Sequence, residues 1–363
     1  MEWLLLIAGV ALAFANGAND NIKGVATIYG AAQLGYRRAL ALATVSQILG
    51  SLASVVLASA LVRAFSGKGL VPPEFLSVEL LAAVAMGAAI TVALATRAGL
   101  PISTTHAIVG SLLGGGAVAA GSALNLGALG AAFVLPLAVG PLLAIVLAAA
   151  LARGGHAVGS MLGLAPGDCI CIEPGWTANA EGNAAVASRT LRLEIAEASE
   201  CKAHGEARLV GLEVERALRT GHVLSATTVG FARGLNDTPK ILGLMVGASA
   251  LDPFLGALVV AGAMSLGGVL AARRVADTLA LRITPMSNGQ GLAANLATSL
   301  LVIGASRFGL PVSTTHVSTG GIFGIGAAAG TLQRRATGEI LGAWLGTLPV
   351  AAALGALLAY ALS

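Results

Sequence analysis

Residues 17–23 read GANDNIK and residues 234–240 read GLNDTPK, a shift of 217; residues 97–106 read RAGLPISTTH and residues 307–316 read RFGLPVSTTH, a shift of 210. Both motifs occur in the same order in each copy. Two polar motifs repeated in register point to a duplicated unit, and that self-similarity decides the architecture before any single element is assigned.

The motifs lie in an apolar chain. Of its 363 residues, 56% are hydrophobic and 10% charged, against about 45–50% and 25% in soluble domains. So little charge does not cover a soluble surface. This excludes a disordered chain, a nucleic-acid binder and an ordinary soluble enzyme. The net charge of +4 is no nucleic-acid signal, because Lys and Arg collect in the cytoplasmic loops of membrane proteins.

Apolar stretches at 3–35, 39–62, 79–99, 105–122, 126–151, 222–250, 253–272, 289–306, 315–331 and 338–361 predict membrane segments. Most reach the ~20 residues that cross the hydrocarbon core. The first has no basic n-region or cleavage site, so it does not read as a signal peptide. As one helix it would be about 50 Å long against a core of ~30 Å, so a break within it is expected. Each half carries five segments, an odd number, which puts the halves in opposite orientations. The expected fold is therefore an all-α polytopic membrane protein of two inverted repeats with broken or re-entrant helices, the arrangement of many secondary transporters. Repeat 1 occupies 1–151 and repeat 2 occupies 222–363, with an insert at 152–221.

Basic residues give an orientation. With the N-terminus outside, Arg37, Arg38, Arg97, Arg273, Arg274, Arg282, Arg334 and Arg335 fall inside, together with seven in the insert. Arg63, Lys68 and Arg307 fall outside. The positive-inside rule then predicts both termini outside the cytoplasmic membrane and a cytoplasmic insert. Strand-like alternation at 169–172, 190–195 and 207–215 predicts a small β-containing module there. Its Cys169, Cys171 and Cys201, with His204, match no common zinc spacing and read as reduced thiols.

Asn19, Asp20 and Lys23, with Asn236, Asp237 and Lys240, stand inside apolar segments, where ionisable groups face a partner or a wet cavity. Gly17, Gly234 and Pro239 favour backbone breaks beside them. Asp and Lys three apart share a helical face and can pair; the plainer reading is an internal ion pair, which duplication at equivalent places makes less sufficient. In the second motif, Pro101 precedes Ser103, Thr104 and Thr105, and Pro311 precedes Ser313, Thr314 and Thr315. Pro followed by hydroxyls marks a helix start. Free backbone N–H groups, hydroxyls and the positive dipole end suit an oxyanion, although Ser and Thr also cap helices without any ligand. His106 and His316 close these motifs and read as hydrogen-bonded structural residues. No G-x-S-x-G elbow and no Walker-A sequence is present, so neither hydrolysis nor ATP-driven pumping is expected, and no cofactor or metal centre.

The pairs GANDNIK and GLNDTPK, with PISTTH and PVSTTH, resemble the inorganic phosphate transporter family of secondary carriers, which has a G-x-N-D signature and a P-x-S-T-T-H motif in each of two inverted repeats. The resemblance covers both membrane halves but not the insert. It implies phosphate uptake driven by sodium or protons. By position, Asn19, Asp20, Asn236 and Asp237 would lie near substrate and coupling cations, with sodium near Asp20 and Asp237. Ser103, Thr104, Thr105, Ser313, Thr314 and Thr315 would surround the anion. The family signature commonly continues as in GANDVAN, whereas both copies here end in Lys. Lys23 and Lys240 are therefore expected to act as built-in cations, favouring proton over sodium coupling.

Hydroxyls and amides suit phosphate or sulfate alike. Phosphate carries a proton that Asp20 or Asp237 can accept, which favours it as the partner, with sulfate as the alternative cargo. Gly110 and Gly114, and Gly342 and Gly346, are small-residue steps that suit close helix packing, within the chain or across a homodimer.

Overall fold

The computed structural model describes residues 1–66, 69–164, 168–181, 184–197, 210–246 and 252–363. The first apolar stretch is broken as its length requires. It forms α1 (Glu2–Asp20), a 3-10 turn over Asn21–Gly24 and a short α2 (Ala26–Gly30). The break falls on the first motif, so Lys23 leaves the helix on a tighter turn than Asp20. The first half continues through α3 (Tyr36–Leu57), α4 (Ser59–Ala64), α5 (Val78–Arg97) and α6 (Thr104–Ala120). A four-residue α7 (Leu126–Leu129) then passes through a π turn over Gly130–Val134 into α8 (Leu135–Met161).

The insert contains strands β1 (Asp168–Glu181), β2 (Ala184–Glu197) and β3 (Val210–Glu213), in the order β2-β1-β3 and antiparallel throughout. The expected strand at 207–215 is shorter, because helix begins at Val214. Cys169 and Cys171 lie on β1; Cys201 and His204 lie outside the described residues.

The second half comprises α9 (Val214–Val246), α10 (Pro253–Ala271), α11 (Arg273–Leu281), α12 (Asn288–Arg307), α13 (Thr314–Ala329) and α14 (Arg334–Leu362). The expected break at the second G-x-N-D motif is not there. α9 runs through it as one helix with Pro239 inside, which neighbouring helices tolerate in a membrane interior. All ten expected segments contain helix. Among the described residues, seven helices are long and apolar enough to cross a membrane. α13, with 16 residues, is too short to be among them.

Packing repeats with the halves exchanged. α1 lies against α5 and α10 as α9 lies against α12 and α3, and α6 meets α14 as α13 meets α8. The crossings are built on glycine. A Cβ at Gly17 would lie 1.8 Å from Met264 O and one at Gly234 2.1 Å from Gln47 O; at Gly50 and Gly267 it would lie 1.9 Å from Phe231 O and Phe14 O. Each of these pairs maps onto its counterpart by the same shift of 217 as the motif itself. Gly110 and Gly114 likewise face the Leu348 and Ala352 carbonyls within the chain, whereas Gly342 and Gly346 have nothing within 4 Å. Outward-facing Trp3, Val56, Leu300 and Leu345 are each at least two-thirds exposed, an apolar surface that lipid covers.

Candidate functional site

The two P-x-S-T-T-H motifs take one local structure twice. The chain arrives extended from α5 or α12, and Ser103 or Ser313 becomes an N-cap with φ/ψ of −91/113° and −94/111°. Each serine hydroxyl accepts from the backbone N–H of His106 or His316 at 3.1 Å. The serines thus serve the helix start, as Ser does at an N-cap. Ser103 Oγ also contacts His106 Nδ1 at 2.8 Å. The rings of His106 and His316 meet at 4.4 Å, and His316 stacks on Trp344 at 3.9 Å, so the histidines join the motif ends.

Both G-x-N-D motifs converge on these helix starts. Asn19 fastens the extended segment of its own half: its Nδ2 donates to Thr96 Oγ1 at 2.9 Å and Leu100 O at 3.0 Å, and its Oδ1 accepts from Ile102 N at 3.1 Å. Asn236 repeats this in the second half, donating to Val312 O at 3.3 Å and accepting from Ser306 Oγ at 3.1 Å.

The lysines bridge the halves. Lys23 Nζ pairs with Asp20 and donates to Asn19 Oδ1 at 2.9 Å, Ile102 O at 3.1 Å and Thr315 Oγ1 at 2.6 Å. Lys240 Nζ pairs with Asp237 at 3.3 Å and donates to Val312 O at 2.6 Å and Thr105 Oγ1 at 2.8 Å. The hydrogen bonds of each ammonium go to oxygens, from its own half and from the threonine of the other, and Lys240 Nζ also lies 5.8 Å from the centre of the Phe65 ring. A hard monovalent cation would be coordinated by the same kinds of group, since hard cations take oxygen ligands.

The carboxylates meet at Asn16. Its Nδ2 lies 3.3 Å from Asp20 Oδ2, 3.4 Å from Asp237 Oδ2 and 3.0 Å from Thr104 Oγ1. Thr314 Oγ1 donates to Asp237 Oδ2 at 3.3 Å. All the site residues anticipated from the two motifs therefore come together, each less than a tenth exposed. The motifs did not reveal Asn16 and Arg233. Arg233 Nη2 donates to Asn16 Oδ1 at 2.6 Å, and its Nε lies 3.6 Å from Asp237 Oδ2. Aligning the copies at 217 would have paired the two positions, but their unlike side chains hide the relation.

Ionisable groups drawn from two membrane halves to one buried centre, with hydroxyl-bearing helix starts beside them, define a polytopic transport protein rather than an enzyme. More narrowly, the chain belongs to the phosphate transporter family, whose sequence profile matches residues 16–355. It is 28% identical to a protein named as a phosphate permease in Pyrococcus abyssi, over 98% of this chain and 97% of that one. It is 26% identical to a protein named as a low-affinity inorganic phosphate transporter in Mycobacterium bovis, over 97% of this chain and 75% of that one. A solved structure described as the sodium-dependent phosphate transporter superposes with a TM-score of 0.74 at 23% identity, covering 99% of this chain and 98% of that one. At that identity the likeness concerns the fold alone.

Proposed function

We propose that the chain imports inorganic phosphate across the cytoplasmic membrane by cation symport, with access alternating around a midplane site between inverted repeats. The carrying observation is the exchanged lysine bridge: Lys23 holds Ile102 O and Thr315, and Lys240 holds Val312 O and Thr105. A site stitched from both halves must be remade when one half moves against the other, which couples cargo and conformation. Two helix starts rich in hydroxyls supply donors for an oxyanion. Asp20 and Asp237 supply acceptors for the proton that phosphate carries and sulfate lacks.

The same lysines bear on the coupling ion. The superposed transporter is named as sodium-dependent; here an ammonium fills an oxygen cage in each half and provides the positive charge that a bound sodium would bring. We therefore assign coupling to protons. Asp20 and Asp237 are the groups that exchange the proton. Both termini lie outside and the insert inside, in keeping with the basic residues.

The test is uptake of labelled phosphate and labelled sulfate by purified protein in liposomes, with sodium and proton gradients imposed separately. Phosphate should accumulate on a proton gradient without sodium. Strict dependence on external sodium overturns the coupling assignment, and accumulation of sulfate instead of phosphate overturns the cargo.

A further inference from the structure

The two halves differ in charge at one buried position in the centre of the site. The 217 shift sets Arg233 against Asn16, so a guanidinium in the second half stands where the first has a neutral amide. Arg233 is 1% exposed. Its Nη2 and Nη1 donate to Asn16 Oδ1 at 2.6 Å and Asn21 Oδ1 at 3.1 Å. Its Nε, buried, makes no hydrogen bond and has only the 3.6 Å approach of Asp237. A buried donor left without an acceptor is costly and needs an explanation. Charge tells the same story: among the described residues, Lys23, Arg233 and Lys240 form ion pairs with two carboxylates, Asp20 and Asp237.

Beside Arg233 is a small cavity of about 10 Å³ lined by Arg233, Lys23, Thr298, Thr314 and Ser318 with three apolar or glycine positions. None of its lining residues is acidic, and its volume admits one water-sized group. Thr314 and Ser318 now donate over 3.3 Å, to Asp237 Oδ2 and Thr315 O. Such long bonds are readily exchanged for shorter ones to an anion, because hydroxyl hydrogens rotate and bonds to charged groups are stronger.

We propose that Arg233 is a substrate-binding residue: with Lys23, Thr314 and Ser318 it holds one oxygen of the transported oxyanion, so the anion is gripped asymmetrically, by the second half more than the first. This rests on the phosphate reading and adds to it the residue that supplies the unmatched positive charge. The two asparagine amide oxygens fix the guanidinium fork and leave Nε as the donor to spare. The cavity accepts a single oxygen, so the rest of a tetrahedral anion enters as the halves part.

The test uses the full chain in two measurements: the rise in melting temperature of purified protein with added inorganic phosphate, and labelled phosphate uptake in liposomes. Wild type should be stabilised by phosphate and not by equal chloride. R233N, which copies the first half's residue, should weaken apparent phosphate affinity by about tenfold or more, the scale of one lost bond to a charged group. R233K should lie between, since it keeps the charge without the planar fork. Wild-type affinity in R233N overturns the proposal; if R233N does not fold, wild-type affinity in R233K overturns it. A wild type neither stabilised by phosphate nor able to take it up strikes at the phosphate reading itself.

Discussion

At the scale of single residues, the site depends on what each ammonium retains when its carboxylate is removed. In Asp20→Asn, Lys23 keeps Asn19 Oδ1, Ile102 O and Thr315 Oγ1; in Asp237→Asn, Lys240 keeps Val312 O and Thr105 Oγ1. Each lysine keeps neutral oxygen acceptors, and in Asp237→Asn Arg233 keeps Asn16 and Asn21, so both variants should elute as folded protein yet lose gradient-driven uptake. Normal accumulation in either would remove that carboxylate from the mechanism. The lysines give the complementary experiment. Lys23→Asn with Lys240→Asn empties both oxygen cages while sparing their oxygens, so uptake should acquire a dependence on external sodium that wild type lacks. A double variant equally indifferent to sodium would argue against tethered cations. The residues that carry these predictions were legible in sequence because they repeat. Arg233 and Asn16 were not, because their importance lies in the difference between the copies. The serines were half legible: Ser103 and Ser313 could be read as anion ligands or caps, and the fold engages both as caps.

At the scale of elements, the two repeats are held together by backbone crossing backbone. Gly17 and Gly234 admit the carbonyls of Met264 and Gln47 where any Cβ would collide. Gly17→Ala should therefore destabilise by ~1–3 kcal/mol, the usual cost of overpacking, and lower the melting temperature in detergent. Gly342→Ala, with open space around it, should leave it unchanged or raise it slightly through helix propensity. Equal melting temperatures for both variants would mean that the α1–α10 crossing contributes nothing. Element length was the surest guide from sequence: a first segment too long for one span had to break, and it breaks at Asn21–Gly24. Proline was a poorer guide. Pro239 suggested a second break, but packing on α3, α10 and α12 keeps α9 continuous. In the insert, alternation located β1 and β2 but understated them, since each runs to 14 residues beyond the stretch where apolar and polar positions alternate.

At the scale of the whole molecule, five of the basic residues assigned to the inside come together through contacts between distant elements. These five gather around α11. Arg274 donates to Arg97 O at 2.6 Å, Arg273 lies 4.6 Å over the Tyr36 ring next to Arg37, and Arg282 and Arg335 share Glu339. The insert reaches the same face, where Glu215 accepts from Asn288, itself bonded to Gln33. Elsewhere, Gly309 packs against Ala60, bringing the end of α12, which carries Arg307, close to α4, which carries Arg63. The count of segments separated the inside and outside groups in sequence; contacts between elements far apart in the chain bring together part of the inside group. The positive-inside rule predicts that this face is cytoplasmic. An epitope following Ser363 should bind antibody on intact right-side-out vesicles, whereas one inserted within 198–209 should bind only after permeabilisation. The reverse pattern would turn the molecule over in the membrane and make the insert extracellular. It would leave the paired lysine cages intact, because those depend on the halves facing each other and not on which of them faces the cytoplasm.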